Sequence, residues 1–140
     1  MFYHPCYSQL DLPAQHRYPI DKYRTLYQHL LDIGVPANAF TQSESITTER
    51  LAQIHCRHYV QSLSDGSIDA KAMRRIGFPW SEQLFQRSLC SVGGTLQTAQ
   101  AALKQGIALH LSGGYHHAFY AEGSGFCLFN DLVVAAKSLR

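Results

Sequence analysis

An α/β fold built on a parallel sheet is what this sequence predicts, and three observations carry the prediction. Leu84, Phe85, Leu89, Val92, Leu96, Ala99 and Leu103 recur at helical spacing, which makes 81–105 a long amphipathic helix. Directly after Gly106, the apolar run "IALHL" (107–111) has the length of a buried strand. A glycine-rich segment then leads into another helical stretch, 130–140, so the order is helix, strand, irregular loop, helix. In open parallel sheets ligands gather outside the C-terminal strand ends, which places the loop after residue 111 at the best functional address.

The elements follow along the chain. "MFYHPCY" (1–7) reads as a short strand broken at Pro5. "PIDKYRTLYQHLLDIG" (19–34) reads as a helix with Pro19 near its start, Tyr23, Leu26, Tyr27, Leu30 and Leu31 on one side, and Gly34 past its end. "TTERLAQIHCRHYVQSL" (47–63) reads as one further helix capped by Thr47 or Thr48, and "DGS" (65–67) as a turn. "GFPW" (77–80) is a loop that delivers Ser81 as the cap of the long helix. Gly93 and Gly94 sit in the middle of that helix, where each costs about 1 kcal/mol relative to alanine. Such a cost is tolerated where another element packs very close. Asn130 or Asp131 is placed to cap the last helix.

Composition narrows the function. Hydrophobic residues make up 46% and charged residues 16% of 140 positions, which describes one globular domain. The formal charge of +2 and the lack of a Lys/Arg stripe argue against nucleic acid; Arg74 and Arg75, the densest basic spot, read as solvated surface. No apolar run is long enough to span a bilayer, and no signal-peptide pattern opens the chain, so a cytoplasmic location is expected. Cys6, Cys56, Cys90 and Cys127 are expected to stay reduced, and with no C-x-x-C pair a cysteine-rich zinc site is not expected.

The histidines are the chemical signal. His116 and His117 lie side by side in "LSGGYHHAFYAEGSGFCLFND" (111–131), and imidazole can exchange a proton or bind a metal near neutral pH. Adjacent residues in an extended segment point opposite ways, so both reach one site only if the flanking glycines kink the backbone. The other reading is a turn with two exposed histidines. His55 and His58 share a helical face but are too few for a zinc site, which leaves His55 as a packed core residue. His4, Tyr3 and Tyr7 line a pocket or anchor an edge strand. A metal site assembled from His4, His16, His55, His58 and the tandem pair finds no support in their spacing.

The stretch "GGYHHAFYAEGSGFCLFND" (113–131) resembles the active-site segment of the zinc-dependent histone deacetylase superfamily, which includes acetoin-utilisation proteins and acetylpolyamine amidohydrolases. "HPCYSQLDLPAQHRYPIDKYRTLYQHL", "IHCRHYVQSL", "IGFPWSEQLFQRSLCSVGGTLQTAQAAL" and "GIALHLSGG" resemble the class IV-like bacterial branch in the same order, so the resemblance spans the chain. It implies the N-terminal part of an arginase/deacetylase-like three-layer α/β/α fold with a parallel sheet, incomplete, as a single partial domain over 1–140.

The resemblance also implies roles. His117 resembles the general base and His116 the partner that stabilises charge and protonates the leaving amine, each oriented in the family by a carboxylate or amide. Gly125 resembles the glycine whose carbonyl accepts the substrate amide, Phe126 an aromatic wall of the acyl-lysine tunnel, and Cys127 the neighbouring pocket cysteine. The family's zinc ligands, an Asp-x-His and a later Asp, and its oxyanion tyrosine are matched nowhere in 1–140, so no metal ligand is assigned in this chain. The implied reaction is zinc-dependent hydrolysis of acetyl-lysine or a related acylamine, such as an acylated polyamine. By this reading the chain is the N-terminal half, inactive alone, free of catalytic zinc and prone to aggregate; the partner is a missing C-terminal half. A non-catalytic remnant acting as an interaction module is the alternative.

Overall fold

Helix α5 (Glu82–Gln105) is the beam on which the chain is assembled in the computed structural model, which describes residues 1–140. Ser81, extended, accepts from the Leu84 amide at 3.0 Å, and Gly106 closes the far end by donating to Ala102. Its apolar side enters a core built with Tyr7, Leu51, Leu63, Ile76, Phe129 and Val134, all essentially inaccessible to water. The expected close approach is found at the paired glycines. A Cβ on Gly93 would stand 2.0 Å from the Glu44 carbonyl oxygen, and one on Gly94 would stand 2.4 Å from the His110 ring.

Two strands, β1 (Phe2–Tyr3) and β2 (Thr41–Gln42), pair in parallel with Phe2 opposite Thr41. On the other side of β1, the Phe2 amide donates to Leu109 and its carbonyl accepts from Leu111, so His110 forms one parallel bridge. The strand expected over 107–111 is thus reduced to a single ladder position. Its neighbour is only two residues long, because Pro5 cannot extend a ladder and instead opens a 3₁₀ turn (Pro5–Ser8). Ile107 and Leu109 stay 75% and 55% exposed, since no other strand of the chain pairs there.

Helix α1 (Lys22–Asp32) follows the expected pattern and ends before Gly34, whose φ is +96°. The single helix expected over 47–63 is two, α2 (Thr48–Leu51) and α3 (Arg57–Asp65). Tertiary contacts break it. The Cys56 amide donates to Tyr120 and the His55 ring to Phe119, so these backbone and side-chain groups serve a distant loop rather than a helical ladder. Helix α4 (Ala70–Ile76) was not anticipated by the sequence pattern. Arg74 and Arg75 on it are exposed, as expected, and Arg75 also pairs with the equally exposed Glu122 at 2.8 Å and reaches the Gly123 carbonyl at 3.3 Å.

Helix α6 (Asp131–Ser138) packs on α5 and is capped by Asn130, whose side-chain oxygen accepts from Val133. Leu103 at the end of α5 and Leu132 and Val133 on α6 are exposed, as are Ile107 and Leu109 between the helices. No helix is long and apolar enough to cross a membrane.

Candidate active site

The loop from 111 to 130 is bent by glycines where side chains would not fit. Gly113, at φ +92°, has Thr95 Oγ1 only 2.5 Å and Asp131 Oδ2 2.7 Å from where a Cβ would be. Gly114 and Gly125 are also left-handed, and so is Phe126, at φ +67° the one non-glycine residue there. A bulky residue in that region is strained, and such strain concentrates at functional loops.

Asp131 holds the first bend. It is fully buried, and its carboxylate accepts from Thr95 Oγ1 at 2.6 Å, the Gly114 amide at 2.8 Å and the Tyr115 amide at 2.7 Å. Because Thr95 spends its proton on Asp131, it accepts from His110 Nδ1 at 3.1 Å. His110 Nε2 then bears the lone pair and accepts from the Tyr7 hydroxyl at 2.8 Å. Burial pushes the His110 ring down to about 4, so this relay is neutral at its imidazole near pH 7. Thus the first residues of the chain, the middle of α5 and the histidine loop share one directed hydrogen-bond chain.

A cavity of about 530 Å³ opens beneath the loop, lined among others by Tyr18, Tyr23, His110, His117, Gly125, Phe126 and Cys127. Four of the five residues singled out in the sequence therefore face one space. His116 does not line it. Its ring lies against His117 with centroids 4.1 Å apart, and its Nδ1 donates to the Gly114 carbonyl at 3.0 Å. Neither histidine of the pair is oriented by a carboxylate of this chain. Gly125 is in van der Waals reach of His117, since a Cβ there would lie 3.3 Å from its Cδ2. Phe126 is fixed by the hydrogen bond its amide donates to the Ile76 carbonyl and by the rings of Tyr18 and Phe78, 5.1 and 5.2 Å away. Burial raises the Cys127 thiol, which keeps it protonated and a poor nucleophile; it donates to the Gly125 carbonyl at 3.5 Å.

Arg87, which bonds two of the tyrosines that line the cavity, is 3% exposed and has no carboxylate partner. It donates to the Tyr7 carbonyl and to the Tyr18 and Tyr115 hydroxyls. Burial pushes the Tyr115 phenol up, but Arg87 and the Ser112 and Ser91 hydroxyls together bring it down, to about 8. His55 is the packed core residue expected: Nδ1 donates to Phe119, Nε2 accepts from Asn130, and burial lowers its basicity. His58 joins no cluster with it.

Asp131, His110, Thr95 and Arg87 were missed as site residues. Asp131 was legible only as a cap beside Asn130, and His110 only as a polar residue inside an apolar run. The zinc that the resemblance implies does not fit the donors at this cavity. No carboxylate lines it, and Asp131 commits both oxygens to the loop and Thr95. The chain has one group of three convergent His, Cys, Asp or Glu donors, His4, Cys6 and Cys90, and none of these lines the cavity.

Comparison with known proteins identifies the framework. Residues 16–140 match the histone deacetylase domain. An uncharacterized protein of Picosynechococcus is 43% identical over 140 residues, which is 99% of this chain and 46% of that protein. The acetoin utilization protein AcuC of Bacillus subtilis is 30% identical over 99% of this chain and 38% of its own length. The chain thus spans less than half of these curated relatives. Among solved structures, a histone deacetylase homologue from Aquifex aeolicus superposes with a TM-score of 0.74 at 23% identity, covering 96% of this chain and 39% of that one. The acetylpolyamine aminohydrolase of Burkholderia pseudomallei gives the same score at 19% identity, over 99% of this chain and 52% of the other. These share the fold, of which this chain has the N-terminal part with its sheet incomplete. The chain belongs to the histone deacetylase domain family.

Proposed function

We propose that this chain supplies the proton-transfer and acyl-binding part of a zinc-dependent deacetylase that hydrolyses acetyl-lysine or a related acylamine. One observation carries the reading: His117, Gly125, Phe126 and Cys127 face one cavity beside the adjacent, tilted ring of His116. His117 forms no ring hydrogen bond within the chain, which leaves a nitrogen to take a proton from water. His116, with Nδ1–H committed to Gly114, keeps a basic Nε2 that can carry a proton to a departing amine. Gly125 offers a peptide carbonyl to a substrate N–H, and Phe126 an apolar wall to an acyl chain. Zinc, which in this family polarises the scissile carbonyl, is not held by the residues at this cavity.

The exposed apolar surface of Leu103, Ile107, Leu109, Leu132 and Val133 fits burial beneath the remainder of the fold, the C-terminal half. The same surface is what favours the alternative of an interaction module. The test is acetyl-lysine and acetylpolyamine hydrolysis by the chain alone, and by the chain joined to the C-terminal part of its Picosynechococcus relative. The chain alone is expected to be silent, and the joined protein active with zinc. His117→Ala should then cost about 10²–10⁴-fold in rate. Activity unaffected by that substitution would remove His117 from its role.

A further inference from the structure

Which acylamine enters the histidine-pair cavity depends on the charge at its far end. Among the 14 residues that line the cavity, Lys22 is the one amine or guanidine, and none is a carboxylate. Lys22 opens α1, and its Nζ stands 4.7 Å from the centre of the Tyr18 ring and 5.0 Å from that of Tyr23. Both rings line the same space, and an ammonium is attracted to such faces, which keeps the charge at the cavity wall. No carboxylate neutralises it. Neither salt bridge of the chain includes Lys22, and its neighbour Asp21 pairs with Arg24 at 2.6 Å.

A second cation adds to the first. Arg87, buried and without a carboxylate, packs on the same two rings, with Cζ 5.6 Å from Tyr18 and 5.2 Å from Tyr23. Against these two charges stands one buried acid, Asp131, whose oxygens accept three hydrogen bonds. A cleft with an excess of one sign concentrates ligands of the opposite sign and repels its own. The spacing is suitable too. The Tyr18 ring lies 4.7 Å from Lys22 Nζ and 5.1 Å from the Phe126 ring, so the ammonium and the acyl wall are at most about 10 Å apart. In acyl-lysine the carboxylate stands six bonds from the acylated nitrogen, about 7–8 Å when extended.

We infer that the cavity takes acylamines whose far end is a carboxylate, acyl-lysine with a free carboxyl group among them, in preference to acylated polyamines, and that Lys22 is the residue that makes this choice. The inference rests on the deacetylase reading of the cavity and narrows its substrate class. Lys22 touches none of the proton-transfer groups, so it acts on binding and not on the chemical step.

The test uses two matched acylamines, 6-acetamidohexanoate and N-acetylcadaverine. Both carry an acetamide on five methylenes, and they differ in ending in a carboxylate or an ammonium. Each is titrated into the 140-residue chain by ligand-observed NMR, and each is offered as substrate to the chain joined to the C-terminal part of its Picosynechococcus relative. The parent should favour the anion by about tenfold, through KM and not kcat, and about 0.5 M salt should shrink that preference. Lys22→Gln should bring the two compounds near parity, and Lys22→Glu should reverse the order. Lys22 is exposed, so both variants should melt with the parent. Parity or a preference for N-acetylcadaverine in the parent would overturn the proposal, as would a preference that Lys22→Glu leaves unchanged. Equal weakening of both compounds in Lys22→Glu, the mark of a packing role, or binding of neither by either protein would overturn it as well. A joined protein that binds the anion selectively and hydrolyses neither compound would refute the deacetylase reading while supporting the charge selection.

Discussion

Asp131→Asn tests whether one carboxylate sets the shape of the histidine loop. The carboxylate accepts three hydrogen bonds, and the amide that replaces it has a single acceptor oxygen. The best arrangement keeps that oxygen toward Thr95 and Gly114, which turns the amide N–H₂ toward the Tyr115 N–H and leaves two donors facing. The two retained bonds lose charge assistance, at about 1 kcal/mol each, and the orphaned Tyr115 amide costs about 1–3 kcal/mol. Relief of the buried charge offsets part of this, for a net loss of about 2–4 kcal/mol. Urea unfolding at pH 7.5 under reducing conditions reads it directly. With an m-value of about 2 kcal/mol/M, the midpoint should fall by about 1–2 M. Hydrogen exchange at the Tyr115 amide should accelerate by more than the global loss allows. A variant within about 0.5 kcal/mol of the parent, the range of ordinary surface changes, would refute the reasoning.

Gly93→Ala should destabilise by about 3 kcal/mol despite alanine's helical advantage, because the new methyl meets the Glu44 carbonyl; a neutral result in urea would show that segment 43–46 can retreat. His110 has a folded pKa depressed to about 4, so the unfolded chain binds a proton first as pH falls from about 6.5. Its contribution is fully present above pH 6.5 and lost on the way to pH 4, about 2 kcal/mol after discounting, and His110→Asn should flatten that slope in unfolding midpoints across this range. Tyr115, brought down to about 8, should give one phenolate absorbance step well below the other tyrosines, absent in Tyr115→Phe. Here too the folded pKa is depressed, so this group adds stability as pH rises from 8 toward 10.

Much of the fold was legible because its strongest signals are local. The α5 periodicity, the Ser81 and Asn130 caps and the Gly34 and Gly106 stops depend on near neighbours in sequence, and each is found. The paired glycines announced a close approach, though not that the Glu44 backbone and the His110 ring make it. What failed was non-local. Helix 47–63 breaks because His55 and Cys56 bond to residues 119 and 120, and the strand at 107–111 shrinks because pairing is decided by the length of β1. At the site, the motif brought His117, Gly125, Phe126 and Cys127 to one cavity. Asp131 and Arg87 escaped notice because a buried charge is recognised by its distant partners. The grouping of His4 and Cys6 with Cys90 escaped for the same reason, since no short spacing announces it.

The position of β1 between two parallel neighbours has a consequence for how the chain folds during synthesis. Phe2 meets Thr41 on one side and His110 on the other, and Tyr7 waits for His110 across 103 positions. Residues 1–8 are synthesised before either partner, and the second partner follows 103 positions after Tyr7. Contacts of such separation close large loops and form slowly. The segment 1–8, with its tyrosines, is thus made long before it can dock, and the histidine loop takes its final shape only when that docking is done.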